Sequence, residues 1–238
     1  MRVRLKPKSF LDTSRRDWQF QAFAWLLRHT GGYAKFLETE LVLPTEAHFP
    51  DRGMKGHAAV VALFRRVRDH AGMADWPCTV EPAGDTPRVE TDDSERIPVF
   101  TYPRERLEPI TLVANFSRDL SRYLVATIGE PPPGGEELCE PAMELGAVFM
   151  GFGIFLANSA MREQQQPMNE GELVHALALF CLLRRLPIDT ADEHLNPHLR
   201  KYLRLAHRDL AQHETRFQAL RGTLAGEPAE QTLPVRLR

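Results

Sequence analysis

Cysteine is scarce. Cys78, Cys139 and Cys181 are the only three, far apart and outside any CxxC pair. That argues against a disulfide framework or a cysteine-built zinc site, and it fits a reducing cytoplasm. Lysine is nearly as rare: Lys6, Lys8, Lys35, Lys55 and Lys201 are the whole set, so arginine carries the positive charge. With abundant Ala and Leu, this bias is associated with GC-rich bacterial coding. Neither sign of charge is in excess, since the net charge is -2. There is thus no global basic field of the kind nucleic acid attracts, and no acidic tail. Long hydrophobic runs are missing too. The longest uncharged one, 145–160 (LGAVFMGFGIFLANSA), is shorter than the ~20 residues of a membrane span and reads as a buried core helix. The first residues lack the apolar stretch of a secretory signal. No Walker loop, GxGxxG fingerprint or GxSxG elbow occurs, so neither a nucleotide cofactor nor a serine nucleophile is expected.

What is present is an ordinary globular composition, 43% hydrophobic and 26% charged over 238 residues, long enough to bury a sizeable core. The apolar period predicts a helix over 14–29, with Ser14 and Asp17 as a capping-box-like start and Gly31-Gly32 as its stop. A second helix is predicted over 57–70 on a stripe of Val60, Val61, Phe64 and Val67. "PCTVEP", "PRVET" and "IPVFTY" read as short strands, separated by the turns "EPAGDTPR" and "TDDSER". From Glu108 onward the pattern is helical. Pro109 opens one helix, an apolar helix or helix pair follows Gly134-Gly135, Asn169 caps another, and "LNPHLRKYLRLAHRDLAQHETRFQALRG" reads as the last. The expectation is an α+β fold, mostly helical with a small β-sheet in the first half. Residues 1–222 form a single domain and 223–238 a mobile C-terminal tail.

One stripe calls for an explanation. In "LVANFSRDLSRYLVATIG" the apolar residues Leu112, Phe116, Leu120 and Tyr123 share a face, and Arg118 and Arg122, four residues apart, form a separate polar one beside Asp119. The next helix carries Glu140 and Glu144, also four apart and so also on one face. A short loop between antiparallel helices would bring two guanidiniums against the carboxylates, a charge-complete arrangement that needs no metal.

Residues 97–162, from "TYPRERLEPITLVANFSRDLSRYL" to "GGEELCEPAMELGAVFMGFGIFLANSA", resemble a group of largely uncharacterised bacterial zincin-like proteins. These carry HExxH on one helix and an ExxxD-type motif on the next, as in the thermolysin-like zinc peptidases with a glutamate ligand. The Glu-Pro-Ala lead-in and the apolar run are the more specific part. The resemblance implies a zincin-like helix pair in which Arg118 and Arg122 stand at the zinc-histidine positions and Asp119 at the catalytic glutamate. It likewise puts Glu140 at the glutamate ligand and Glu144 at the acid that orients a histidine. Arginine has no lone pair to give a metal and stays protonated. Zinc catalysis needs about three protein ligands and an open position, so no metal and no catalytic residue is expected here. A non-catalytic pseudo-metallopeptidase that binds an unknown protein or an anionic ligand in the old cleft is the leading expectation, with no nucleic-acid or membrane partner. Two alternatives stand beside it: a hydrolase with a rebuilt site around Asp119, Glu140 or a nearby histidine, and a helical interaction module unrelated to peptidases.

Other candidates carry less. His175 sits among Ala and Leu and reads as a packed histidine. His194 and His198 are four apart, but "HLNPH" spans a proline and His207 lies nine beyond His198, so the three do not make the helical i, i+4 pair of a metal site. Cys139 abuts Glu140 with no base in sequence reach, and reads as a packing thiol.

Overall fold

The computed structural model describes residues 10–50, 53–84, 97–105, 108–160 and 167–226. The fold is α+β, mostly helical, with a two-stranded sheet early in the chain. The first helix, α1, is Thr13–His29. Its cap is Asp12, which accepts from the Arg15 amide, and not the expected Ser14. The aspartate two residues earlier satisfies one of the orphan amides, so the helix gains a residue. Gly31, in the left-handed region at φ 100°, ends the turn after α1 and leads into the short α2, Gly32–Phe36. The third helix, α3, is Gly56–His70 and buries Val60, Phe64 and Val67. Strands β1 (Thr79–Pro82) and β2 (Val99–Tyr102) pair in parallel, Val80 opposite Phe100. The sequence pattern predicts a third strand at "PRVET" and a turn at "TDDSER"; both lie outside the described residues, as does the second half of "EPAGDTPR".

Helix α4, Pro109–Ala126, has Pro109 in its first turn and buries Leu112, Phe116, Leu120 and Tyr123. A 3-10 turn, Glu136–Leu138, leads into α5, Cys139–Ala147. The apolar segment then divides. A π turn, Val148–Phe152, holds Gly151 at φ 97°, and α6, Gly153–Ser159, resumes beyond it. A Cβ at Gly151 would lie 2.0 Å from the Glu40 carbonyl oxygen, so only glycine lets this backbone approach. The approach is used: the Gly151 carbonyl accepts from the Val42 amide at 3.0 Å. The stretch Glu136–Ser159 is long and apolar enough by composition to cross a membrane, yet 94% of its apolar window is buried within the structure.

Helix α7, Glu170–Arg184, starts on a full capping box between Asn169 and Glu172. Burial on nearly every side marks it as the central core helix. The short α8 is Asp189–Asp192. The predicted final helix is two helices, α9 (Pro197–Leu210) and α10 (Glu214–Arg221). The break lets α10 fold back on α1, where Phe217 meets Phe20 edge-on at 5.4 Å and Arg216 bonds Asp17 at 2.6 Å; a straight continuation would carry both away. Residues 223–226 run along α1 and α2: Thr223 accepts from the Tyr33 amide and Gly226 donates to the Arg28 carbonyl. The rest of the expected tail lies outside the described residues. Apolar side chains from Phe20 to Leu220 form one continuous buried cluster.

Candidate functional site

Helices α4 and α5 lie antiparallel, and the charged stripes set their register: Arg118 pairs with Glu144, and Arg122 pairs with Glu140. Close approach depends on Gly146. A Cβ there would stand 2.2 Å from the Ser121 hydroxyl, which is buried and without a hydrogen-bond partner. The two ends of the ladder differ in kind.

At the inner end, Arg118 Nε donates to Glu144 Oε1 at 3.1 Å, with the two side chains 15% and 2% exposed. Arg118 Nη1 donates to Asn115 Oδ1 at 3.1 Å and Nη2 to Ser159 Oγ at 3.5 Å. Glu144 Oε2 accepts from the Met168 amide at 2.8 Å. Both carboxylate oxygens are thus engaged, as a buried charge requires. The bond from Glu144 also ties α5 to the start of α7.

The outer end is open. Arg122 Nη1 donates to Asp119 Oδ1 at 3.2 Å and Nη2 to Glu140 Oε2 at 3.4 Å, with Arg122 38% and Glu140 61% exposed. Burial pushes the Asp119 carboxyl up to about 6, against the pull of Arg122 and Arg118, although a quarter of the side chain is open to water. The charge of Asp119 therefore changes near neutrality.

All five residues singled out from the sequence, Arg118, Asp119, Arg122, Glu140 and Glu144, meet here. Asn115, Ser159 and the Met168 amide complete the inner end and were not singled out. Asn115 had a readable signal, one turn before Arg118 on the same face. Ser159 and Met168 arrive by tertiary folding, with no local signal.

Among the described residues, no three His, Cys, Asp or Glu side chains converge as a metal site would need. The remaining candidates disperse. His175 is fully buried, its Nδ1 within 2.7 Å of Gln19 Oε1 and its ring stacked near Phe10; burial pulls it down to about 4. His198 faces Glu170, and the His194 carbonyl accepts from Asn158. Burial and the charges of Glu136 and Glu140 push the Cys139 thiol up, the opposite of nucleophile activation.

No protein-family model, no curated protein and no solved structure matches this chain. What stands is the geometry: a mostly helical fold with arginine–carboxylate pairs, the inner one buried, at a helix pair where a metal site could sit.

Proposed function

We propose that this chain is a non-catalytic pseudo-metallopeptidase, working in a reducing cytoplasm, whose helix-pair cleft binds a protein or an anionic ligand instead of cleaving a peptide bond. The observation that supports this most is the Arg118–Glu144 bridge, buried and 3.1 Å long. A cation removed from between acidic side chains leaves them uncompensated, which costs several kcal/mol when they are buried. A guanidinium at a former ligand position supplies the missing charge and fills the space with a group that cannot ligate. Arg122, more than a third exposed at the open end, presents the cation that an incoming carboxylate or phosphate would meet.

The test restores the lost pattern. Arg118→His, Asp119→Glu and Arg122→His are combined, and zinc affinity is measured by competition with a chelator. A descendant of a zinc site gains affinity well above that of the unmodified chain. A folded triple variant with no gain removes the descent, and stoichiometric zinc in the unmodified protein removes the reading altogether.

A second reading has its own observation. A carboxyl held at about 6 beside two guanidiniums is a serviceable general acid–base, so a rebuilt hydrolase would use Asp119. Hydrolysis of an ester or peptide panel that Asp119→Asn abolishes would favour this alternative.

A further inference from the structure

Away from the charged ladder, a cavity of about 860 Å³ opens among α1, α2, α3, the residues that follow α3 and the C-terminal end of α4. That volume lies in the range of small-molecule sites. Its apolar wall includes Phe36, Leu124, Phe149 and Met150. Trp76 and Tyr123, edge to face with centroids 4.9 Å apart, make an aromatic corner. Tyr123 is 3% exposed, and burial pushes its phenol up, so the ring stays neutral.

The electrostatics of this wall point one way. Among the described lining residues, Glu38, Glu40, Asp69 and Asp75 face Arg28 and Lys35; Glu38 is paired with Lys35 and Asp69 with Arg68, so Glu40 and Asp75 carry the acidic excess of the rim. The C-caps of three long helices also stand in the wall: Thr30 of α1, Ala71 of α3 and Thr127 of α4. Each such end carries roughly half a negative charge. Aromatic faces, rim carboxylates and helix C-termini all favour the same kind of guest.

We propose that this cavity binds an organic cation with an apolar body, its positive centre at the Trp76–Tyr123 corner and its apolar part against Phe149 and Met150. The site is independent of the ladder between α4 and α5, so it stands whether or not the chain descends from a peptidase.

Benzyltrimethylammonium is the probe, titrated into the full chain and followed by proton–nitrogen NMR. The Trp76 indole and the Thr30, Ala71 and Thr127 amides should shift saturably. Phenylacetate and benzyl alcohol, of similar size, should bind at least about tenfold more weakly, the spread expected of a cation-selective aromatic site. Trp76→Ala should weaken the cation by about fivefold or more. Should that variant fail to fold, Glu40→Gln with Asp75→Asn alters only exposed side chains and should still weaken binding and flatten its salt dependence. Phenylacetate binding as well as the cation, no saturable shift at these sites, or affinity indifferent to both variants would overturn the proposal. Arg236 and Arg238, in the sequence that continues from Gly226 at the rim, offer the same chemistry. An Arg236→Ala, Arg238→Ala chain that binds the probe with unchanged affinity supports a free ligand. A gain of about tenfold, the sign of a tethered competitor, would assign the corner to the chain's own arginines instead.

Discussion

Arg118 and Arg122 sit one turn apart on one helix, yet their surroundings make them different residues. Arg118→Ala would leave Glu144, 2% exposed, without its guanidinium. That variant should lose about 3–5 kcal/mol in urea unfolding. Arg122→Ala breaks solvated pairs and should lose under about 1 kcal/mol. Equal losses would mean that the two ends are alike. Two titrating groups, one buried and one partly open to water, give opposite pH dependence. His175 has its folded value lowered from 6.5 to about 4, so the unfolded chain binds its proton more readily. The stability it contributes is present above 6.5 and is lost as pH falls through that window. Asp119 is raised from 3.8 to about 6, so its contribution is present below 3.8 and is lost as pH rises through 6. Asp119→Asn should therefore raise the urea midpoint at pH 7 and leave it nearly unchanged at pH 3.5. A variant that is no more stable at neutral pH would show that its charge is well solvated. The ladder is legible in the sequence because helical spacing alone puts four of its charges on two faces. The depth of burial that separates its ends is not, since it depends on Ser159, Met168 and α7 arriving from elsewhere.

At the level of elements, small residues govern how closely helices approach. Gly146→Ala would push a methyl to 2.2 Å from the Ser121 hydroxyl and should destabilise by about 1–3 kcal/mol. Ser121→Ala removes that obstruction together with a buried, unpartnered hydroxyl, so it should be near neutral alone and should rescue Gly146→Ala. A double-mutant cycle on thermal unfolding measures the coupling, and strict additivity would place the strain elsewhere. The existence of most helices is legible from period and caps. Three boundaries are not, for separate reasons. Asp12 outcompetes Ser14 as a cap, Gly151 splits an apolar stretch whose composition is uniform, and α9 parts from α10 so that Phe217 can reach Phe20. The last two are decided by partners distant in sequence, the first by a choice between neighbouring caps that the pattern leaves open.

The described helices share one apolar cluster from α1 to α10, and residues 223–226 return to α1 and α2. Unfolding should therefore be a single event. Far-UV circular dichroism and the fluorescence of the buried Trp25 should trace coincident urea transitions; two resolved steps would divide the chain into units. The segment around Val42 belongs to no helix or strand, and by sequence it is ordinary connecting chain ahead of Pro44. Its amide, though, is bonded to a carbonyl that the π turn at Gly151 turns outward from the middle of the core helix. Deuterium should consequently replace the Val42 amide hydrogen about as slowly as those of α6 and α7, because releasing it means opening the centre of the molecule. A loop amide thereby becomes a clock for the core, and Gly151→Ala should make it run fast.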